Sequence, residues 1–546
     1  MAKRRTRFIS RRSFVRRAGM VAAGSALSCS VGCGPNEFYA VLPCLDVVAL
    51  PPTAGAMTFI KASEIGCALD CDLSTGRNKV TGGAATDDAP LINAAMAGAS
   101  ASNPITLIID GGALISGLFL PAGGYWSITG QGCGTGFFIK AGTNNDGIHN
   151  GGPTAGLPSD PGLVTPGIPV PARGSNVTLS NFVLNGNRGN GHNGNSTTGM
   201  VQGGAAAWYV GINLMNLNNI TLENLGIVNT SAYHIRLSNV GNVTVSGCTM
   251  YTNGPSTDGV HFDGPANDIA ISNCSITCDD DAIALNCPGG YTGNISRVTV
   301  TGCTFNSLTM LRFYTLGLSS QRFNINSVTV SDCNGTFTRA AFTIGEGSGS
   351  NPHSVDGLSV SNCKIVAPVV LELEANFGVA TFSNVALTPL NSNQDVGYAF
   401  ARTASRYFPI VYSGVSLVLE NCVIQRNKNH AVAALILEDG STIENIEFNG
   451  FSVQDAPGSS YAAVPELLSI ASGTIKRVVI DALDSARITA PVAASRFSSV
   501  GSFSGAGVLA TGWQFPDSLM LNWSPYISAN THRASIKVGG VVRPYP

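Results

Sequence analysis

Charged residues are scarce in this chain of 546 residues, because Asp, Glu, Lys and Arg make up only 12% of it and the formal net charge is −2. A chain so poor in basic residues argues against a nucleic-acid partner. Aromatic residues amount to 7%, and long segments with helical periodicity are almost absent. Glycine, with 64 residues, is abundant together with Asn, Ser and Thr, and this composition is typical of an all-β protein with frequent turns.

The N-terminal segment combines basic residues with an apolar stretch from Ala18 to Leu27. That stretch is far shorter than the ~20 residues that cross a bilayer as a helix, so no stable membrane span is expected. The pair Arg11-Arg12 within SRRSFV resembles a twin-arginine export signal. We therefore expect residues 1–33 to be read by the twin-arginine translocase, with a periplasmic or secreted product. Lipid attachment at Cys33 is the weaker alternative, since Ser30 fits that motif poorly.

Short similar segments recur along the middle of the chain. Among them are NVTLSNF, NITLENL, NVTVSGC, DIAISNC, RVTVTGC, SVTVSDC, GLSVSNC and SLVLENC. Six of these segments end in a cysteine, namely Cys248, Cys274, Cys303, Cys333, Cys363 and Cys422. The successive cysteine spacings are 26, 29, 30, 30 and 59. Each segment alternates apolar and polar residues, as a half-buried strand does, and then reaches a turn-forming Asn, Ser, Gly or Asp.

A second strand follows each repeat, as in HIRL, GVHF, AIAL, LRFY, AFTI and VLEL. Two or three short strands per repeat of this length suit coils that stack and bury one continuous core. We therefore predict an all-β fold, a single-stranded right-handed parallel β-helix, over residues 57–480. Residues 481–546 are expected to form a C-terminal cap or a small β appendage. Residues 85–99 are predicted to form a capping helix, with Thr86 or Asp87 accepting at its start.

The repeated cysteines are expected to form an internal column, because equivalent residues of stacked coils lie about 4.8 Å apart. Buried cysteine behaves as a small apolar residue, so stacking accounts for six of the 14 cysteines without disulfides. Cys67 with Cys71, or Cys44 with Cys133, remain candidate disulfide pairs. Two Gly-rich segments, residues 142–175 and 185–204, are predicted to be surface loops.

Carboxylates gather where the second strands begin. Aligning STDGVHF with DDDAIAL by their apolar alternation pairs Asp258 with Asp281, and Asp280 lies beside them. Close carboxylates separate their pKa values, which gives one acid and one base for cleaving a glycosidic bond. Outward-facing residues of neighbouring coils are predicted to share one solvent-facing surface that binds the sugar. These residues are His234, Arg236, His261, Arg312, Tyr314, Glu372 and Glu374.

These motifs resemble the polygalacturonase-type glycoside hydrolases of the pectate-lyase-like superfamily. Thr257-Asp258-Gly259 matches an Asn-Thr-Asp-Gly motif with Ser256 in place of Asn, Asp280-Asp281 matches Asp-Asp, and Arg312-Phe313-Tyr314 resembles Arg-Ile-Lys. The resemblance implies an inverting hydrolase with Asp280 or Asp281 as general acid and the other aspartates holding water. A Gly-His-Gly motif is absent, so either its coil is missing or the Arg312 coil replaces it.

Three other interpretations remain open. Asp and Asn suit tight corners, so the aspartates could be structural and the protein a non-catalytic carbohydrate-binding β-helix. Asp258, Asp279, Asp280 and Asp281 could instead hold Ca²⁺ in a polysaccharide lyase that acts by β-elimination. Loss of the motif's Lys also leaves open whether the sugar is an acidic pectin unit or a neutral one. The favoured hypothesis requires no cofactor and no metal, only a polysaccharide or oligosaccharide substrate.

Overall fold

A computed structural model gives the fold of the chain. It describes residues 57–143, 145–150, 170–188, 210–252, 254, 257–289, 291–315, 323–345, 354–390, 398–403, 413–481, 483–484, 486–505, 520–523, 535–538 and 541–544. The expected export signal, including Cys33, and Cys44 lie outside these residues. No helix in the described part of the chain is long and apolar enough to cross a membrane.

Strands dominate the structure, and the first half of them lie before residue 332. They are β1 (Thr58–Lys61), β2 (Ile105–Ile109), β3 (Gly112–Ile115), β4 (Leu118–Leu120), β5 (Gly124–Gly130), β6 (Gly136–Ile139), β7 (Ile148–Asn150), β8 (Gly174–Ser180), β9 (Val183–Asn185), β10 (Ile212–Glu223), β11 (Gly226–Val228), β12 (Ile235–Ser246), β13 (Thr249–Tyr251), β14 (Val260–Ser272), β15 (Ser275–Thr277), β16 (Asp281–Asn286), β17 (Ile295–Thr301), β18 (Thr304–Tyr314) and β19 (Ile325–Ser331).

The remaining strands continue to the C-terminal end. They are β20 (Asn334–Gly345), β21 (Val355–Ser361), β22 (Lys364–Ala367), β23 (Val369–Leu373), β24 (Phe377–Ser383), β25 (Ala386–Pro389), β26 (Tyr398–Thr403), β27 (Ser413–Glu420), β28 (Val423–Arg426), β29 (Val432–Leu437), β30 (Thr442–Asn449), β31 (Ser452–Asp455), β32 (Val464–Ile470), β33 (Thr474–Asp481), β34 (Ile488–Val492), β35 (Phe503–Gly505), β36 (Met520–Trp523), β37 (Ser535–Val538) and β38 (Val541–Pro544). Helix α1 (Ala89–Met96) and two 3-10 turns, Ser63–Ile65 and Ala494–Ser499, are the other elements among the described residues.

Each strand pairs with its equivalent on the next coil. Strands β1–β36 form one continuous sheet whose pairings between strands are parallel, as in β12 with β14, where Ile235 is in register with Val260. In several coils the second strand of one repeat and the first strand of the next form a single long strand. Strand β12 is an example, and a left-handed Asn239 (φ 51°) lies between its two parts. The predicted right-handed parallel β-helix is confirmed.

Turns between strands use the residues that tolerate a positive φ. Asn181, Asn224, Asn273, Asn362 and Asn421 all have φ between 49° and 60°. Their side chains stack between coils, since the Asn224 amide donates to Asn181 Oδ1 at 3.2 Å. Asn is one of the few residues with a side chain that adopt this conformation readily. The repeated turn residues of the sequence therefore mark the corners of the coils.

The cysteine column also matches the prediction. All six repeated cysteines are free and no more than 2% exposed, and the Cys274 main-chain N–H donates to Cys303 Sγ at 3.4 Å across one coil step. The candidate pair Cys67 and Cys71 is wrong, because both thiols are free. Cys133 is disulfide-bonded.

The N-terminal end of the coil stack is covered by helix α1. Ala89, Ile92 and Met96 are buried in the main core, and Asp87 Oδ1 accepts from the Ala89 N–H at 3.2 Å, as the sequence predicts for Asp87. Parallel pairing continues past residue 480 as far as β36, whereas β37 and β38 form an antiparallel hairpin. The predicted loop at 142–175 contains β7 and the start of β8. Its middle part, 151–169, and most of the second loop, 189–204, lie outside the described residues.

Candidate active site

One outward-facing column of side chains crosses the middle of the β-helix. The parallel register places Asn213, Arg236, His261, Ala284, Arg312, Thr343 and Glu372 at equivalent positions of successive coils. Each of them alternates with core residues on its strand, as Arg312 does with Leu311 and Phe313. The predicted sharing of one face by Arg236, His261, Arg312 and Glu372 therefore follows from the register.

Three carboxylates converge at the start of strand β16. Val260 is in register with Ile283, so Asp258 lies opposite Asp281 one coil away. One carboxylate oxygen from each of Asp258, Asp280 and Asp281 lies within 4.8 Å of the others. Asp258 and Asp281 are 4% and 2% exposed, whereas Asp280 is partly exposed. Only Asp280 thus offers substantial surface to solvent.

Glycine permits this close approach of the two coils. A Cβ on Gly259 would lie 2.4 Å from the Ala282 carbonyl oxygen and 2.6 Å from Ile276 Cγ2. The Gly259 N–H donates to the Asp281 carbonyl at 3.0 Å. A larger residue would push apart the chain segments that carry Asp258 and Asp281. The Asp-Gly dipeptide is therefore needed for the carboxylates to meet.

Asp281 receives two contacts from the coil that follows it. Thr309 Oγ1 donates to Asp281 Oδ1 at 2.5 Å, and the Arg312 guanidinium lies 3.5 Å from Asp281 Oδ2. Arg312 also stands over the Tyr314 ring, 4.9 Å from its centre. Strand β16 pairs directly with β18, so the Arg312 coil comes next to the aspartate coil with none between them. The Arg312 coil therefore occupies the position next to the aspartates, where a separate coil with a Gly-His-Gly motif would otherwise lie.

Asp258 is held by groups on its own strand and on the next coil. His261 Nδ1 lies 2.7 Å from Asp258 Oδ2, and the Asp281 main-chain N–H donates to Oδ1 at 3.3 Å. Burial raises the pKa of Asp258 and the charge of Asp281 adds to it, whereas His261 and Arg312 act in the opposite direction. The pKa of Asp258 is therefore raised, because burial and the charge of Asp281 outweigh the opposing effects of His261 and Arg312.

A second buried carboxylate lies behind His261. His261 Nε2 is 3.1 Å from Asp263 Oδ1, and Arg236 Nε donates to Asp263 Oδ2 at 2.8 Å. Burial opposes the ionised form of Asp263, but Arg236 and His261 outweigh it and lower its pKa to about 2. Burial would likewise lower the pKa of His261, yet Asp263 and Asp258 raise it to about 9. The Tyr233 ring stacks on the imidazole at 4.1 Å.

The expectation that all seven sugar-binding candidates face solvent is wrong for five of them. His234, Arg236, His261, Glu372 and Glu374 are at most 3% exposed. Protein groups contact several of them: His234 Nδ1 lies 2.8 Å from the Asp258 carbonyl oxygen, and both glutamates pair with Arg339. Burial lowers the pKa of His234 to about 4. Arg312 and Tyr314 are the two that keep partial exposure.

Three residues of the site are missing from the sequence-based prediction. Asp263 lies two positions after His261 and hence on the same side of β14, so strand periodicity could have revealed it. Thr309 is in register with Asp281, which the aligned second strands could also have shown. Arg339 precedes its strand's apolar run, and no local pattern marks it as the partner of Glu372 and Glu374.

Comparison with known proteins relates this part of the chain to a glycoside hydrolase family. The sequence profile of glycosyl hydrolases family 28 matches residues 174–334, which include the three aspartates and Arg312. No curated protein matches the chain in a sequence search. Among solved structures, the family 28 exopolygalacturonase of Yersinia enterocolitica is similar at 12% identity, covering 77% of this chain and 80% of its own, with a TM-score of 0.50.

Two further solved structures match the chain with lower TM-scores. The polygalacturonase from Erwinia carotovora ssp. carotovora is 16% identical, covers 79% of this chain and 98% of its own, and has a TM-score of 0.42. The surface adhesin PfbA of Streptococcus pneumoniae is 12% identical, with 77% and 93% covered and a TM-score of 0.44. The match of residues 174–334 to the profile of glycosyl hydrolases family 28 confirms the resemblance seen in the sequence motifs.

Proposed function

We propose that this protein is an exported hydrolase that cleaves glycosidic bonds of a pectin-like polysaccharide through its three aspartates. The observation that carries the proposal is the convergence of Asp258, Asp280 and Asp281 within 4.8 Å, with one of them partly exposed. Corner residues of a purely structural kind would not need to bring three carboxylates together, since close like charges are unfavourable.

Asp280 is proposed as the general acid, because its partly exposed side chain can reach the leaving oxygen of a bound sugar. Asp258 and Asp281 would hold the attacking water through hydrogen bonds to their carboxylate oxygens. Both are buried, and donors fix both of them: His261 at Asp258, and Thr309 with Arg312 at Asp281. A positioned acid and base of this kind contribute about 10²–10⁴-fold to the rate.

An inverting course is proposed because two carboxylates remain to hold water once the third acts as acid. Carboxyl groups of an acid and base pair in inverting enzymes are usually about 6.5–9.5 Å apart, which leaves room for that water. In the alternative course Asp281 attacks the sugar directly and configuration is retained. NMR of the first-formed product anomer distinguishes the two courses.

A calcium-dependent lyase is the second candidate, because the same oxygens could contact a cation. Positive charge already reaches the cluster from Arg312, 3.5 Å from Asp281, and from the imidazole of His261, 2.7 Å from Asp258. A divalent ion would add repulsion there, so we propose hydrolysis without a metal.

Export through the twin-arginine translocase is part of the proposal and rests on Arg11-Arg12. Replacing both residues by Lys would keep the charge but remove the motif. We expect the double variant to stay in the cytoplasm while the unchanged protein reaches the periplasm or medium. Cell fractionation measures this, and unaltered export of the variant would contradict it.

The decisive test of the reaction is a panel of plant and microbial polysaccharides. New reducing ends without ultraviolet absorbance of an unsaturated uronide indicate hydrolysis, whereas that absorbance indicates elimination. Asp280→Asn should lose about 10²–10⁴-fold in rate with an unchanged fold. Asp332→Asn is the matched control, since Asn already occupies equivalent turn positions such as Asn362. Activity lost to a chelator, or no cleavage in any polysaccharide, would overturn the hydrolase proposal.

A further inference from the structure

His261 makes contacts that a neutral imidazole cannot satisfy. Its Nδ1 lies 2.7 Å from Asp258 Oδ2 and its Nε2 lies 3.1 Å from Asp263 Oδ1. Neutral imidazole carries one N–H, so one of these carboxylates would face a nitrogen lone pair. Two carboxylate acceptors on the two ring nitrogens require two donors. When both carboxylates are ionised, this geometry requires the doubly protonated, positively charged ring.

The Asn286 side chain fits the same protonation state. Its Nδ2 lies 3.2 Å from His261 Nε2, and its buried Oδ1 has no hydrogen-bond partner within the described residues. Rotating the amide by half a turn exchanges these atoms. Oδ1 then accepts from the protonated Nε2 as a second acceptor, so the amide gains a partner for the oxygen that lacks one.

Buried charges around His261 alternate in sign. Arg236, from β12, contacts Asp263, and Asp263 contacts His261, which in turn contacts Asp258. These four side chains are at most 6% exposed, so solvent screens them little. Ser238 adds a donor to Asp263 at 2.6 Å, and the Tyr233 ring covers one face of the imidazole. The outermost member of this series, Asp258, is the one that meets the catalytic cluster.

Other ionisable groups near the imidazole come from the next two coils. Asp280 and Asp281, from the start of β16, oppose the ionised form of Asp258, and Arg312, from β18, favours it. The Arg312 guanidinium lies 3.5 Å from Asp281 Oδ2. The His261 imidazole lies closer to Asp258, with Nδ1 2.7 Å from Oδ2.

We propose that His261 is a positioning residue whose fixed positive charge keeps Asp258 ionised and oriented as a water-holding base. The inference rests on the proposed function for the role of Asp258, but the charged state of His261 does not. Asp263 and Arg236 act indirectly. Asp263 stabilises the buried imidazolium of His261, and Arg236 stabilises the ionised form of Asp263. The positive charge thus belongs to the protein interior and is present before any substrate binds.

A pH dependence follows from this arrangement. The pKa of His261 is about 9, so the ring is charged at neutral pH and loses its proton only in alkaline solution. Above that pH the support of Asp258 is lost, and activity should fall. Without the charge at any pH, Asp258 should be harder to ionise next to Asp281, and more alkaline conditions should be needed for activity.

The first test is independent of activity. In wild-type protein labelled with ¹⁵N-histidine, we expect both ring nitrogens of His261 to show imidazolium shifts at pH 7, with loss of a proton only near pH 9. The signal is assigned by its absence from His261→Asn or, should that variant not fold, by its displacement in Asp263→Asn. A neutral ring at pH 7 would overturn the proposal even in an active enzyme.

The second test uses the cleavage reaction found with the polysaccharide panel. Asn keeps a donor near Asp258 but no charge, so His261→Asn should move the acid limb of kcat/KM upward by about one pH unit and lower the rate at acidic pH roughly tenfold. KM should change little, because His261 is buried away from the sugar. The alkaline fall near pH 9 should disappear.

A matched control is available in the same column of side chains. His149 is also buried, in register with Asn213, but it packs edge-on against Phe119 at 5.0 Å. His149→Asn should leave the pH profile unchanged. If both variants shift the profile equally, or if His261→Asn shifts nothing, the positioning role is wrong. If the wild-type protein cleaves no glycan, the proposed function fails, and the spectroscopic test still decides the charge of His261.

Discussion

The Thr309 hydroxyl donates to Asp281 from the coil that follows it, and the 2.5 Å separation of Oγ1 and Oδ1 marks a strong contact to a buried carboxylate. Thr309 and Asp281 are in parallel register, so the contact is a direct product of strand pairing. A hydrogen bond to a charged group contributes about 1.5–3 kcal/mol. The orientation of Asp281 therefore depends on the neighbouring coil.

Replacing Thr309 by Val removes this donor with little change in shape. We expect kcat to fall about 10- to 100-fold, the equivalent of one charge-assisted hydrogen bond. Thr343→Val is the control: Thr343 is 2% exposed and its Oγ1 has no partner among the residues that the structure describes. That variant should keep both activity and stability. Equal losses in the two variants would show a packing effect instead.

Arg312 should set the preference for acidic sugars. Its guanidinium stands beside Asp281 and over Tyr314, partly exposed, where it can hold a sugar carboxylate through parallel hydrogen bonds. Arg312→Gln should lower kcat/KM about tenfold or more for de-esterified pectin, and less for the methyl-esterified form. Arg297→Gln, which alters an exposed ion pair with Asp268, should change neither. A uniform loss on both substrates would assign Arg312 to Asp281 alone.

The cysteine column should be chemically inert while the protein is folded. Burial raises the pKa of the Cys422 thiol to about 12, and the thiolate is the reactive form. We expect Cys303, Cys333 and Cys422 to stay unmodified by iodoacetamide at pH 8 and to react fully in denaturant. Peptide mass spectrometry measures each site. Rapid labelling of the native protein would show that the column is open to solvent.

A buried ion pair near the C-terminal coils should contribute far more than an exposed one. Arg426 and Asp455 are 1% and 3% exposed and lie 2.6 Å apart. Asp455→Asn leaves a buried guanidinium without its countercharge, and we expect a loss of about 3–5 kcal/mol in the free energy of unfolding. Asp268→Asn, at an exposed pair, should cost less than about 1 kcal/mol. Denaturant titration of both variants measures the difference, and equal losses would contradict it.

The alternation of apolar residues allowed the alignment of the aspartates to be predicted before the fold was known. Val260 and Phe262 must point inward like Ile283 and Leu285, and a shift of one residue would turn every side chain to the wrong side. That constraint alone places Asp258 opposite Asp281, as the structure has it. The turn residues and the cysteine column follow from the same repeat.

Burial of the outward face could not be predicted in this way. Strand alternation tells which side of the sheet His261 or Glu372 lies on, but not what other parts of the protein lie over that side. Both are buried and paired with charged groups, Glu372 with an arginine that lies 33 residues earlier in the chain. Such pairings depend on side chains from several coils and have no period in the sequence.

The stacked coils, their corners and the meeting of the aspartates could be predicted from the repeats, because a short repeat of inward residues leaves one workable register. Two features became visible only in the folded chain: the Arg312 coil follows the aspartate coil directly, and His261 lies between Asp258 and Asp263. Charge pairing in a buried site depends on distances of a few ångströms between coils. Local sequence patterns specify which residues face one another, but they do not specify those distances.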